Sequence, residues 1–199
     1  WLAKEMGLPI NKILVATNSN DVLHKLFSEN SYKKGKVTST LAPSMDISVA
    51  SNFERLLFNL FNNNSEKLQK TMSSFPKERI SVPGEYWKKA EDVFLSFPST
   101  DQEILQEIKK TFETSNYILD PHTSTGVRAA RELISPDQSV ITMATAHPSK
   151  FMEAIKQVLA EDAVETPSQL NDIEDKQEDF VVLPDNIDKV REYIVSSIN

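Results

Sequence analysis

Four short apolar runs predict β-strands that are buried on both faces. They contain β-branched residues and show no apolar–polar alternation, which is typical of a parallel sheet covered by helices on both sides. The runs are residues 13–16, 117–119, 140–144 and 180–183. The chain is therefore predicted to contain a mostly parallel sheet.

Helical periodicity fills the intervals between these runs. Apolar residues recur at the spacing of one helix face in the segments 53–61, 104–112, 151–159 and 187–198. Two capping boxes are predicted, Ser51 with Glu54 and Thr100 with Glu103, because a hydroxyl and a carboxylate three residues apart satisfy each other's backbone N–H groups. Strands that alternate with helices in this way predict an α/β fold flanked by helices.

Two segments fall outside this alternation. Residues 62–99 contain three consecutive asparagines and the prolines Pro76, Pro83 and Pro98, which predicts an irregular, partly helical excursion rather than sheet. Residues 161–179 carry eight acidic side chains against Lys176 alone, which predicts an acidic linker or solvated helix face. No internal repeat or second core is evident, so 1–199 is expected to form one domain or a large part of one.

Composition narrows the class of protein. The net charge of −7 lies in the acidic segment, so no basic stripe for nucleic acid remains. No run approaches the ~20 apolar residues of a membrane span. The absence of cysteine excludes disulfides and thiolate sites, and a cytoplasmic location is the expectation. The four glycines form neither a dinucleotide-binding nor a Walker loop.

Polar residues follow three of the predicted strands, at the point where each strand ends. Asn18 follows the first run, Asp120 and His122 follow the second, and Thr145 follows the third. Because the carboxyl ends of parallel strands meet at one edge, where α/β sheets bind small ligands, these side chains are candidates for a ligand site. Asn18, Asp120 and His122 are the candidates for substrate binding.

Helix capping explains each loop equally well when it is taken alone. Asn20 or Asp21 would cap the next helix, and Thr123 would cap the helix after 120. His122 and His147 show no metal-ligand spacing, and no serine has the context of a nucleophile elbow. The sequence therefore predicts neither a metal site nor a Ser-His-Asp triad.

Six stretches taken together resemble the threonine synthase family. They occur in the family's order across residues 1 to about 160: AKEMGLP at 3–9, VATNSND at 15–21, TLAPSMDI at 40–47, SNFERLL at 51–57, DPHTSTG at 120–126 and TAHPSKF at 145–151. One such stretch arises easily by chance, whereas six in order are specific. The resemblance covers the C-terminal half of the family's length.

The resemblance implies the large domain of a fold-type-II pyridoxal 5'-phosphate (PLP) enzyme. It implies a lyase of threonine biosynthesis, which converts O-phospho-L-homoserine and water to L-threonine and phosphate. In such enzymes the cofactor supplies the difficult chemistry and the protein supplies orientation and electrostatics. Thr145 matches the hydroxyl residue that faces the pyridine nitrogen of the cofactor in the family, so the resemblance makes Thr145 a cofactor-binding residue.

The resemblance also implies that two parts of the family's machinery lie outside this chain. The Schiff-base lysine and the Gly-Asn-Phe-Gly phosphate loop belong upstream of Trp1, and Lys4, Lys12 and Lys150 lack the context of that lysine. The chain also starts within a predicted helix, which suggests a truncated product. No catalytic residue is therefore assigned, and the chain is expected to be inactive without its missing N-terminal half.

Two other functions remain open at this point. The chain could be a non-catalytic binding or assembly module that retains the fold. It could also belong to another fold-type-II lyase, such as a dehydratase, although the pairing of Asp-Pro-His-Thr with Ala-His-Pro-Ser-Lys-Phe weighs against a dehydratase.

Overall fold

Two parallel strands form the sheet of this structure. β1 (Ile13–Thr17) pairs with β2 (Phe94–Pro98), in register from Ile13 opposite Phe94 to Thr17 opposite Pro98. The connection between parallel strands must cross over, and here it runs through helices. The predicted α/β class, with a parallel sheet flanked by helices, is confirmed.

The computed structural model describes residues 1–75, 77–170 and 176–198. Contacts divide the chain into two units, Trp1–Glu165 and Thr166–Asn199. The sequence patterns had not predicted this division.

Helices occupy most of the remaining chain. The first unit contains α1 (Leu2–Glu5), α2 (Val22–Glu29), α3 (Phe53–Leu60), α4 (Ser65–Ser74), α5 (Gly84–Glu91), α6 (Asp101–Ser115), α7 (Pro121–Leu133) and α8 (Met152–Ile155), with short 3-10 helices at Pro43–Met45, Pro148–Phe151 and Glu161–Ala163. The second unit contains a 3-10 helix at Ser168–Leu170 and α9 (Ile187–Ile198), which confirms the predicted C-terminal helix. Among the described residues, no helix combines the length and apolar character needed to cross a membrane.

Three of the four predicted strands are wrong. In the described structure, residues 117–119, 140–144 and 180–183 lie outside any β-ladder. An apolar, β-branched run shows only that a segment suits a strand, whereas a strand also requires a neighbour with which to pair. The prediction that 62–99 contains no strand is also wrong, because β2 lies at the end of that segment, after α4 and α5. Ser96 and Pro98 interrupt the apolar run of this strand, so the sequence pattern did not indicate it.

Two hydrophobic clusters hold the first unit together. The larger one joins α2, α3, α5 and β2, where Phe27 stacks on Phe94 at 4.5 Å and on Trp87 at 5.8 Å between ring centroids. The smaller one comprises Ala42, Ile104, Ile108, Leu119 and Ile155. This second cluster places α6, α8 and the loops at 42 and 119 against one another, and those loops carry the candidate site.

Only one of the two predicted capping boxes forms. Thr100 caps α6 and exchanges hydrogen bonds with Glu103, and the Thr100 N–H together with the nearby Arg128 holds the pKa of Glu103 below its ordinary value. The Ser51–Glu54 box is wrong: α3 begins one residue later than that box requires, and its N-cap Asn52 makes no side-chain cap bond.

The predicted acidic linker at 161–179 is described only in part. Glu161 begins a 3-10 helix and is exposed, with an ion pair to Lys156, and the pKa of its carboxyl is lowered by that lysine. Residues 171–175 lie outside the described residues. The linker therefore stays a prediction.

The segment 140–144 presents large apolar side chains to solvent. Ile141 is 90% exposed and Met143 is 74% exposed. Apolar patches of this kind promote association. We expect the purified chain to form oligomers and Ile141→Lys to shift it towards monomer, because a charge in the patch opposes its burial. Sedimentation velocity measures the distribution.

Val37→Lys is the matched control for this prediction. Val37 is also exposed, at 41%, but it lies in an irregular loop between Lys36 and Thr38. An oligomer distribution that responds equally to both substitutions would contradict a specific contribution of Ile141.

Candidate functional site

Asp120 begins α7 and is the centre of the polar site. Its carboxylate accepts hydrogen bonds from the backbone N–H of His122 at 2.9 Å and of Thr123 at 3.3 Å, and from the Thr123 hydroxyl. Pro121 follows at the first helical position, where a missing N–H leaves nothing unpaired. Asp120 is therefore the N-cap of α7, and the predicted cap, Thr123, is wrong.

His122 joins α7 to the 3-10 helix Pro43–Met45. Its Nδ1 lies 2.9 Å from Asp120 Oδ1, and its Nε2 accepts the Ser44 N–H at 3.1 Å. The tautomer with hydrogen on Nδ1 satisfies both contacts. The ring is 7% exposed and packs against Phe151, with 4.6 Å between ring centroids. Both nitrogens of His122 thus have partners inside the protein.

Asn18 organises the loop after β1. Its side chain is buried, and its Nδ2 lies 2.7 Å from Thr40 Oγ1 and from Asp46 Oδ1, and 3.2 Å from the Ala42 carbonyl. Its Oδ1 accepts the Asn20 N–H at 2.9 Å. An amide nitrogen has two hydrogens, so these acceptors use its full capacity. Asn18 binds the end of β1 to the loop at 38–46.

Thr145 lies at the exposed end of these contacts. Its N–H donates to Thr123 Oγ1 at 3.0 Å, and the two hydroxyl oxygens are 3.2 Å apart. Thr145 itself is exposed, whereas Thr123 is 5% exposed and Asp120 is 1% exposed. The result is a row of bonded groups that leads from a buried carboxylate to an accessible hydroxyl.

The other predicted loop histidine is engaged locally. His147 is exposed, with its Nδ1 2.8 Å from Ser149 Oγ and accepting the Ser149 N–H, so it caps the turn at Pro148–Phe151. Pro148 occupies the first position of this turn, where a missing N–H leaves nothing unpaired. Among the described residues, no group of three or more His, Asp or Glu side chains is placed to hold a metal ion.

The three candidate loops converge on one polar network. Asn18 reaches Ala42, Ser44 reaches His122, and Thr123 joins Asp120 to Thr145. They converge although two of the three preceding segments are not strands. A polar cavity of about 400 Å³ borders the network and is lined by Thr40, Leu41, Asp101, Lys150 and Phe151, among others.

Several members of the network were not predicted as site residues, among them Ser44, Asp46 and Thr123. Ser44 contributes only its backbone N–H, which any residue except proline carries, so no side-chain signal marked it. Thr123 was interpreted as a local cap, although its partner Thr145 lies 22 residues away, and Asp46 bonds Asn18, which lies 28 residues away.

Comparison with known proteins then identifies the family. The sequence model of a family described as "Threonine synthase, C-terminal" matches residues 123–194. Threonine synthase of Pseudomonas aeruginosa is 39% identical over 196 residues, covering 98% of this chain and 42% of that protein. The chain matches the C-terminal part of the threonine synthase family.

Solved structures of the threonine synthase family share the fold of this chain. The crystal structure of PLP-bound threonine synthase from Brucella melitensis superposes with a TM-score of 0.84 at 34% identity, over 97% of this chain and 42% of that one. The yeast enzyme gives 0.83 at 30% identity, over 98% of this chain and 44% of that one. The chain thus spans less than half the length of the relatives it matches, and it corresponds to their C-terminal part.

The position of Asp120 predicts a large loss of stability on its removal. Asp120→Ala takes away a buried cap that serves several donors, so we expect the free energy of unfolding to fall by about 2–4 kcal/mol. Urea denaturation measures the change.

Asp21→Ala is the matched control, because Asp21 occupies the N-cap position of α2 without any side-chain cap bond. Its ion pair with Lys25 is exposed, so a change of only about 0.5 kcal/mol is expected. Equal losses in the two variants would show that the buried partners of Asp120 contribute little.

Proposed function

We propose that this chain is the C-terminal part of a threonine synthase, which converts O-phospho-L-homoserine and water to L-threonine and phosphate. The observation that carries the proposal is the exposed Thr145 hydroxyl at the end of a buried polar row, in a chain that superposes almost completely on a PLP-bound threonine synthase. A ligand atom that approaches Thr145 meets a neutral hydroxyl that Thr123 contacts from the buried side.

The residues present fit a pyridine ring nitrogen. Thr145 is exposed, and the one hydrogen-bond contact that the structure gives its hydroxyl is with Thr123 Oγ1, so the hydroxyl hydrogen can turn to an incoming acceptor. A hydroxyl brings no charge that would favour a protonated ring. PLP, when bound, supplies the electron sink needed to remove the Cα proton of the substrate and to expel phosphate.

The remaining predicted residues shape the site in this proposal. Asn18, Asp120 and His122 use their polar atoms on internal partners, so they hold the loops that surround the ligand. A direct contact of Asn18, Asp120 or His122 with substrate stays a prediction. A cytoplasmic location also stays a prediction.

We further propose that the upstream part of the family's length supplies the covalent chemistry. In this proposal it brings the lysine that binds the cofactor and the loop that binds the cofactor phosphate. This chain contributes the wall of the site opposite the ring nitrogen, and the names of the matched relatives support a threonine synthase rather than a dehydratase.

A hybrid enzyme tests the proposal. It joins the part of the Pseudomonas aeruginosa threonine synthase that precedes the matched region to this chain. We expect the hybrid to restore growth of a bacterial strain without threonine synthase and to release phosphate from O-phospho-L-homoserine. The 199-residue chain with added PLP should do neither, because a covalent cofactor needs a positioned lysine.

The control is the Pseudomonas aeruginosa enzyme, cut and rejoined at the same junction. If that control is active while the folded hybrid shows no turnover, the proposed function is wrong. Turnover by the 199-residue chain alone would contradict the division of labour between the two parts.

Substitution of Thr145 in the hybrid tests the ring contact. Thr145→Ala removes one hydrogen bond, worth about 0.5–1.5 kcal/mol net, so PLP should bind roughly 2–10-fold more weakly. Thr145→Asp should favour a protonated ring and raise transamination as a side reaction. Thr145→Ser keeps the hydroxyl and should behave like the unmodified hybrid. Titration of PLP with product analysis decides, and unchanged affinity in Thr145→Ala would refute the contact.

A further inference from the structure

The Thr123 hydroxyl connects the buried and exposed ends of the polar row. It donates to Asp120 Oδ2, accepts the Thr145 N–H at 3.0 Å and lies 3.2 Å from Thr145 Oγ1. Both hydrogen bonds that the structure gives Thr145 are therefore made by one atom of α7.

The direction of these bonds follows from the number of hydrogens. A hydroxyl has one hydrogen and two acceptor positions, and a carboxylate oxygen only accepts. Thr123 gives its hydrogen to Asp120, so only lone pairs of Thr123 face Thr145. One of them receives the Thr145 N–H. The other can receive the Thr145 hydroxyl hydrogen until a ligand atom takes that hydrogen, and the backbone bond persists in both cases.

A second, independent contact places the same segment against the same face of α7. A Cβ atom built at Gly126 would lie 3.0 Å from Thr142 Cγ2, so the segment before Thr145 approaches α7 closely. Thr123 and Gly126 are three residues apart on α7 and share one helix face. One polar and one steric contact thus set the path of residues 142–145.

Residues 140–144 belong to no β-ladder in the described structure, and Ile141 and Met143 point into solvent. Thr123 is instead fixed by the α7 backbone and by Asp120, which His122 in turn contacts. The contacts that hold Thr145 in the described structure therefore come from α7.

We propose that Thr123 is a positioning residue for the cofactor: it holds the Thr145 backbone so that the Thr145 hydroxyl points at the ring nitrogen. This inference rests on the proposed function and adds a residue to it. Thr123 does not touch the cofactor, since its hydrogen belongs to Asp120 and it is buried behind Thr145.

The first test uses the 199-residue chain and requires no cofactor. Thr123→Val removes the hydroxyl at nearly constant volume, so the Thr145 amide should exchange its hydrogen roughly tenfold faster, as measured by NMR. Thr125→Val is the matched control: Thr125 is also buried on α7, but its hydroxyl donates to the His122 carbonyl and lies 3.8 Å from Met45 Sδ, and it makes no hydrogen bond to Thr145 in the described structure. Thr123→Ser keeps the hydroxyl and should restore slow exchange.

The second test uses the hybrid enzyme. We expect Thr123→Val to weaken PLP binding by about 2–10-fold, to shift the absorption spectrum of bound PLP and to lower kcat more than it changes KM. Thr125→Val should match the unmodified hybrid in all three measurements, and Thr123→Ser should recover them. Thermal melting of each variant separates a lost contact from a lost fold.

Distinct outcomes separate this inference from the proposed function. An inactive unmodified hybrid beside an active rejoined control contradicts the proposed function and removes the cofactor role of Thr123 with it. An active hybrid in which Thr123→Val and Thr125→Val bind PLP equally overturns the inference alone. A Thr123→Ser variant as impaired as Thr123→Val would also overturn it, because the hydroxyl would then not be the group that matters.

Discussion

A buried carboxylate at the start of α7 is the constraint on which the site depends. Asp120 is 1% exposed, and a buried polar or charged group is tolerated only when hydrogen-bond donors surround it. The donors come from the first turn of α7 and from the His122 ring. To satisfy Asp120, the chain must therefore fold its helix start, place its imidazole and orient the Thr123 hydroxyl together.

Two groups around Asp120, His122 and Thr123, then contact two other parts of the chain. His122 accepts the Ser44 N–H and so fixes the turn Pro43–Met45 within the loop at 38–46, which Asn18 holds from the end of β1. Thr123 holds Thr145 on the other side. The hydrophobic clusters supply the stability of the first unit, since burial of apolar side chains is the dominant favourable term in folding. The polar network determines where the exposed hydroxyl stands relative to the sheet.

Local signals in the sequence were sufficient for part of this arrangement. The Thr100–Glu103 box and the C-terminal helix were predictable because each depends on neighbours within a few residues, and the first strand was predictable because its apolar, β-branched run suits a strand. The pairing of β1 with β2 was not, since it joins residues about 80 positions apart. The site was predicted as a set of loops, whereas Thr123 was interpreted as a cap because its bond to Thr145 spans 22 residues.

The same distinction bears on the proposed cofactor contact at Thr145, which follows a segment that has no strand partner among the described residues. A residue that must meet a ligand has to be exposed, and exposure removes the packing that would otherwise fix its position. In this chain α7 resolves the conflict: its inner face is anchored by Asp120 and the second hydrophobic cluster lies beside it at Leu119. Thr145 stays accessible, and its backbone N–H is bound by a helix that is buried from Pro121 to Thr125. The neutral Thr145 hydroxyl is then held in place through the contacts that Thr145 makes with Thr123.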